Sequence, residues 1–568
     1  MIRALRARLP SSASLGFFSY EVRGMHVAAY LLGFSALISS LLALARDRLL
    51  AHMFGAGAEL DLYYAAFRIP DILFVVFGAL VSVYALIPLL SRYDDAEKRR
   101  YIDTIVIGFS LMVCVIIASV YAILPQLLTR LFPAMAATAF EELLSLTVIL
   151  LAQPVILGFS NIAAALTQYR HRYALYALAP ILYNAGIIFG IAFLYPRFGM
   201  YGIAYGVILG AVMHLAIQLP DVIKDGYLRR FPRFSDVRGF FATLRLSLPR
   251  TAALSVTQLA FLGLLSYAGV LATGSIAVFI FAFNLHAVPL AIIGASYSVA
   301  AFPTLAVAFA GGKTDEFLSY VHAAARHILF WTVPATTLFI VLRAHVVRTV
   351  LGTGSFDWTD TRLTAAAVAL FSVSLVAQGI SLLLVRAAYA AGRTIAPFVI
   401  ALASGSLTIV LGWVYLQTFR YDEAGAFIEV FLRVQDVPGS DVLALILAFV
   451  TGSIVAALLN IAYFELRFGP LLSAISRAWW ESLTAGFIGA VAAYGALVFL
   501  GDITFASTLG SVFFKGFVAG VSGILATAIT YRLLGSREYA ATVSAMRERL
   551  WREAAPVSSA EGTGVPRI

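Results

Sequence analysis

The sequence predicts an all-α polytopic membrane protein of about fourteen transmembrane helices: two six-helix bundles related by a parallel repeat, plus two C-terminal helices. Three observations predict it. Hydrophobic residues make up 61% and charged residues 12% of the 568-residue chain, against roughly 45–50% and about 25% in soluble proteins. Too few polar side chains remain to cover a water-exposed globule. Continuous apolar runs long enough to cross about 30 Å of hydrocarbon recur along the chain, without the alternation of a membrane β-barrel. Basic residues, finally, are unevenly shared between alternate connecting segments.

The runs cover residues 25–44, 62–90, 104–124, 142–166, 175–195, 200–219, 247–270, 276–309, 324–342, 363–385, 395–418, 441–464, 482–500 and 508–531. With the N-terminus inside, the inner segments hold 29 Lys and Arg and the outer segments 9. This asymmetry obeys the positive-inside rule and puts both termini in the cytoplasm. The excess of +10 is therefore a topology signal, and nucleic acid is not an expected partner. Residues 1–24 are basic and lack a small-residue cleavage site, so they read as a cytoplasmic arm.

An internal repeat divides the remainder. The segment at 65–80 matches 281–296, and 168–180 matches 385–397, both at offsets close to 216 residues. Six spans per unit, an even number, give the two units the same membrane orientation. The expected divisions are a first bundle over 25–219, a basic cytoplasmic linker over 220–246 and a second bundle over 247–464. A two-helix, groove-forming unit follows over 465–533, and a disordered cytoplasmic tail over 534–568.

Several chemistries are excluded as readings. A single cysteine, Cys114, rules out intrachain disulfides. The eight histidines form no HxxxH pair, and "FGAGAE" lacks the Lys and Ser/Thr of a phosphate loop. No nucleophile elbow or well-spaced carboxylate pair is present. The chain reads as a non-enzyme without metal or organic cofactor.

The informative stretch is "LARDRLLAHMFGAGAELDLYYAAFRIPDILF", residues 44–74, which concentrates Arg46, Asp47, Arg48, Asp61, Arg68 and Asp71 around the first two spans. A charge inside a bilayer costs at least about 2.5–3.5 kcal/mol on insertion scales, so it persists where it faces water, pairs or snorkels. Arg46 and Arg68 have two uses: a bidentate grip on a phosphate, or ion pairs with Asp47, Asp61 or Asp71. Pro70, beside Arg68, and Pro289 mark helix bends suited to gating or pairing. Asn284 falls on Arg68 in the repeat and is a cavity candidate. Lys515 snorkels from the start of the last helix or contacts lipid in a groove there. Asn161, Gln168, Asn184 and Gln258 are read as bonds between neighbouring helices.

The run "ARDRLLAHMFGAGAELDLYYAAFRIPDIL", "ALAPILYNAGIIFG" at 177–190, "AFPTLA" at 301–306 and "RAAYAAGRTIAP" at 386–397 resemble the MurJ/MviN family of lipid II flippases. That family belongs to the superfamily of multidrug, oligosaccharidyl-lipid and polysaccharide exporters. The resemblance implies a bacterial inner-membrane protein that moves undecaprenyl-diphosphate-linked peptidoglycan precursor between leaflets by alternating access. It implies a V of two bundles around a cationic cavity, and a lipid-tail groove built by the last two helices. Polyprenyl-diphosphate-linked saccharide and membrane lipids would be its partners, with cell-wall synthesis proteins beside them and a monomer as the working unit. By motif, Arg46, Asp61 and Arg68 match functional positions of the family. A family arginine falls at Asn284 and others are replaced, so another polyprenyl-linked oligosaccharide is the alternative substrate, and a non-transporting scaffold the alternative role. Coupling to the membrane potential or to a monovalent cation fits either transport reading.

Overall fold

The fold is that of a computed structural model, which describes residues 25–81, 83–90, 93–170, 172–227, 232–419, 423–504 and 507–544. The arm over 1–24 and the tail beyond 544 lie outside the described residues. Everything regular in the described chain is helical. The first six helical units are α1 (Met25–Phe54), α2 (Ala58–Leu80), α3 (Asp95–Leu131), α4 (Phe140–Tyr169), α5 (Tyr173–Phe198) and α6 (Met200–Lys224). They are followed by α7 (Val237–Ala268), α8 (Ser275–Ala310), α9 (Thr314–Val350) and the bent pair α10 (Trp358–Val373 with Leu375–Ala390). Last come α11 (Ile395–Phe419), α12 (Val442–Arg467), α13 (Leu472–Leu500) and α14 (Leu509–Leu533).

Among the described residues 12 helices are long and apolar enough to span a bilayer, or 13 if the pair bent by 42° in α10 is one span. The expected count of fourteen is thus not recovered by this measure. The difference lies at α1, a helix of 30 residues that is not among those counted.

Local chemistry sets the ends. Asp94 and Glu97 form a reciprocal capping box that starts α3, and Asp357 and Asp360 do the same for α10. Asp236 caps α7 through the Gly239 N–H, so this helix begins nearly three turns earlier than the apolar run, inside the stretch read as linker. A short helix, Leu219–Lys224, closes α6.

Helices α1–α6 pack mainly on one another, with α5 on both α1 and α6. The α5–α6 contact is close: a Cβ at Gly190 would stand 2.5 Å from the Gly206 Cα. Helices α8–α12 form the second group, and α13 and α14 pack together on α9. Helix α7 bridges the groups, lying on α2 and α3 as well as on α11. Two π-helical stretches interrupt the α pattern, Gly190–Leu194 in α5 and Leu290–Ala295 directly after Pro289 in α8. The second leaves the Ala295 carbonyl to the Arg386 guanidinium, which donates to it at 3.0 Å.

Candidate functional site

The site begins at the turn between α1 and α2. Gly55 has φ +59°, and a Cβ there would stand 2.6 Å from the Ser355 carbonyl oxygen. Only glycine lets this turn lie against the α9–α10 connection. The same turn is tied to it by Ser355 N–H donating to the His52 carbonyl (2.9 Å) and Ala56 N–H donating to the Asp360 carboxylate (3.0 Å). Arg48 donates to the last carbonyls of α9, Thr349 at 2.6 Å and Val350 at 3.0 Å.

Asp61 completes this latch. Its carboxylate is 5% exposed and accepts the N–H of Gly274 at 2.7 Å and of Ala277 at 2.8 Å. Those donors open α8 and have no acceptor within it; a carboxylate there also meets the positive end of the helix dipole. Asp61 and Ala277 are 216 residues apart in sequence, the repeat offset itself.

One layer deeper lies a cavity of ≈ 690 Å³ whose walls include Arg46, Arg68, Asp71 and Asn284. Arg46 donates through Nε and Nη2 to one Asp47 oxygen, at 3.0 and 2.8 Å, and reaches Asn184 Oδ1 at 3.5 Å. The other Asp47 oxygen accepts Asn284 Nδ2 at 3.0 Å. Arg68 pairs with Asp71 at 3.0 Å, donates Nε to the Tyr64 carbonyl and lies over the Phe261 ring. Each arginine is therefore ion-paired, and each also lines the cavity. The charges of Arg46, Asp47, Arg68 and Asp71 cancel, which leaves this cavity less cationic than the resemblance implies.

The walls made by Phe74, Asn161, Thr257, Gln258, Phe261 and Gln378 also line a second, adjoining cavity of ≈ 680 Å³ that extends to Tyr176, Tyr389 and Pro397. Among the described residues, no Asp, Glu, Lys, Arg or His lines this second part.

The predicted residues divide accordingly. Arg46, Arg68, Asp71 and Asn284 come together in the cavity, with Asp47 directly behind Arg46 and Asn284. Asp61, grouped by sequence with the binding residues, is not in the cavity wall; its carboxylate is occupied by the α8 N-terminus. Pro70 is buried within a continuous α2, and Pro289 precedes the π stretch. Lys515 neither snorkels alone nor lies bare: its ammonium donates to the Gly501 and Asp502 carbonyls at 3.0 and 3.1 Å, closing the end of α13. Asn184 does bond neighbouring helices, through Ser39 Oγ at 3.2 Å. Asn161 and Gln258 were read the same way and instead line both cavities. Tyr63, Tyr183, His214 and Gln378 also line the cavity and went unread, because one aromatic or amide in an all-apolar helix carries no spacing signal. Among the described residues no group of three or more His, Cys, Asp or Glu side chains is placed to hold a metal ion.

Two groups of apolar helices, tied together at one end around a cavity lined by paired arginines, define a multi-pass membrane protein built as a transporter is. Comparison with known proteins narrows this. A profile of the lipid II flippase MurJ family matches residues 50–425, and the chain belongs to that family. It is 24% identical over 355 residues to the lipid II flippase MurJ of Burkholderia cenocepacia, covering 60% of this chain and 68% of the relative. It is 27% identical over 400 residues to the probable lipid II flippase MurJ of Vibrio cholerae, covering 67% and 76%. In fold it is similar to a solved lipid II flippase MurJ in an inward closed conformation, with TM-score 0.70 and 22% identity over 89% of this chain and 99% of that one. An inward-facing multidrug resistance MATE family transporter of the MOP superfamily gives TM-score 0.60 and 16% identity over 79% and 99%.

Proposed function

We propose that this protein is a flippase that carries an undecaprenyl-diphosphate-linked peptidoglycan precursor, lipid II, from the inner to the outer leaflet of a bacterial inner membrane. Family membership supports the activity. The observation that carries the mechanism is the pairing of Arg46 and Arg68 with carboxylates at the wall of a cavity between the two helical groups. An ion pair lets a guanidinium stay in the membrane while empty. A diphosphate offers a similarly spaced pair of acceptor oxygens to the guanidinium fork and can replace the carboxylate, so ligand binding exchanges one set of charge-assisted hydrogen bonds for another. Neither end state is then deeply trapped, which suits a carrier that must release its cargo.

The uneven distribution of Lys and Arg supports cytoplasmic termini and so places the α1–α2 latch on the outer side. In this reading the head enters from the inner side while the prenyl chain stays in lipid. Binding loosens the Asp61–α8 and Arg48–α9 bonds, the groups rock, and the head leaves outward. An inside-negative potential favours moving negative charge outward by about 2.3 kcal/mol per charge per 100 mV, so the potential alone suffices as a driving force. No chemical step is involved.

The test is leaflet-resolved translocation by purified protein in liposomes, using lipid II and other polyprenyl-linked saccharides, with and without an imposed potential. Movement of lipid II is the expected result. Movement of another saccharide lipid alone would establish the alternative substrate, and no movement of any would leave a scaffold.

A further inference from the structure

The connection between α11 and α12 carries a helix of its own, Glu423–Leu432, 10 residues long. A Cβ at Gly425 would stand 2.0 Å from the Phe419 carbonyl oxygen, so this helix folds directly back over the end of α11. One side of it is held by the core: Ile428 packs against the buried cluster that contains Leu432 and Val434. The other side is equally apolar and bare. Phe427, Val430 and Phe431 are 67%, 55% and 64% exposed, and the two rings stack with centroids 6.1 Å apart. A helix apolar on both sides, set at the ends of two membrane spans, keeps its outer side in lipid. The distribution of Lys and Arg makes that lipid the outer leaflet.

The helix ends in an unusual way. Val434 N–H donates to the Glu429 carbonyl at 2.9 Å and Arg433 N–H to the Val430 carbonyl at 3.1 Å. This pattern places a left-handed residue after the helix, a position that glycine ordinarily fills. Here it is Arg433, with φ +62°, the one non-glycine residue of positive φ among the described residues. The conformation is held from α10, where Arg362 donates to the Arg433 carbonyl and grips both Asp436 oxygens at 2.7 and 2.6 Å. The backbone suits glycine, so what arginine adds is its side chain. That side chain is exposed, and its charge repels that of Arg343 on α9. Arg343 donates to the Ile340 carbonyl of its own helix at 3.1 Å. Among the described residues, neither guanidinium meets a carboxylate, in contrast to Arg46 and Arg68.

Two unpaired cations side by side are relieved by an anion that reaches both. A phosphodiester carries one charge and balances one of them; a diphosphate balances both and offers oxygens to each guanidinium fork. The aromatic side of the adjoining helix supplies a lipid-embedded surface for an attached chain. We infer that Arg343, Arg433 and the Phe427–Phe431 face form an outer-leaflet site for a polyprenyl diphosphate, separate from the cavity between the helical groups, whose walls include neither arginine. The identity of the lipid rests on the flippase reading, in which this site receives the head once it has left the cavity.

The test uses the full-length protein in nanodiscs, with p-benzoylphenylalanine in place of Phe427 and radiolabelled undecaprenyl diphosphate. Irradiation should link the lipid to this helix, and should do so equally in an Arg46→Ala background, which removes a phosphate contact of the cavity. Arg433→Gly and Arg343→Gln should each lower the yield about tenfold or more, the size of a lost hydrogen bond to a charged group. Because glycine suits the left-handed position, Arg433→Gly should unfold at the same temperature or higher. Phosphatidylglycerol, with a single charge, and inorganic diphosphate, with no chain, should compete only weakly. Unchanged yield in both arginine variants, loss of the link in Arg46→Ala, or equal competition by either competitor overturns the site. A lowered unfolding temperature in Arg433→Gly overturns it too, by assigning the side chain to the fold. Linkage without translocation of any lipid overturns the flippase reading and not the site; translocation without linkage does the reverse.

Discussion

Helices α2 and α8 hold equivalent places in the repeat, yet they are furnished in opposite ways. At an offset of 216 residues Asp61 falls on Ala277, Arg68 on Asn284 and Asp71 on Ala287. The α2 member supplies the charges, and the α8 member supplies backbone N–H groups and one amide. The first group and α8 meet where those offerings complement each other: Asp61 of α2 on the α8 N-terminus, and Asp47 of α1 on Asn284. One consequence is a cavity that is polar in two senses, ionic on the α2 side and uncharged beyond it.

The sharpest way to break this complementarity is at Asp61. Asp61→Ala removes two hydrogen bonds to a charged acceptor, each worth about 1.5–3 kcal/mol, and leaves the first turn of α8 uncapped. We expect transport in liposomes to fall at least about tenfold for each 1.4 kcal/mol lost from the latched state. With Cys114 replaced by alanine, a cysteine placed at Gln258 should become accessible from the outer side; continued protection there would show that the latch does not depend on Asp61. Arg46→Ala should be next in size. Translocation should drop about tenfold or more, and thermal stability should fall with it, because loss of one partner strands the buried Asp47 beside the amide of Asn284. Full activity would remove Arg46 from the binding site.

A gain of charge sharpens the comparison instead. Asn284→Arg would give α8 the cation that α2 already carries, and would place it within reach of Asp47. Undecaprenyl diphosphate should bind several-fold tighter, with a steeper dependence on salt; unchanged binding would mean that phosphate does not approach this wall. The smallest effect is expected at Lys515→Ala. Loss of a C-terminal cap costs about 0.3–1 kcal/mol, so thermal stability should fall by a few degrees at most, with transport unchanged. A large transport defect would show that Lys515 touches lipid cargo rather than only the α13 carbonyls.

Much of this was legible in the sequence. The apolar runs marked the helices, and the clustering of Arg46, Asp47, Arg68 and Asp71 marked the ionic wall before any packing was known. Other features were not legible. Asn161 and Gln258 sit in helices apolar on nearly every face, where no polar stripe says which way a single amide points. The break near Leu80, the π stretch after Pro289 and the bend in α10 leave no mark in mean hydropathy, which averages over the residues that differ.

By itself, then, the sequence determined that this chain lives in a bilayer, how its helices are spaced and which end of the repeat carries the ions. Those follow from transfer free energies that add residue by residue along the chain. The tertiary structure alone decided that Asp61 serves a helix end rather than a ligand, that both arginines are paired while facing a shared space, and that a second, uncharged space adjoins them. Facing and pairing belong to contacts between residues hundreds of positions apart, and a sum along the chain holds no such term.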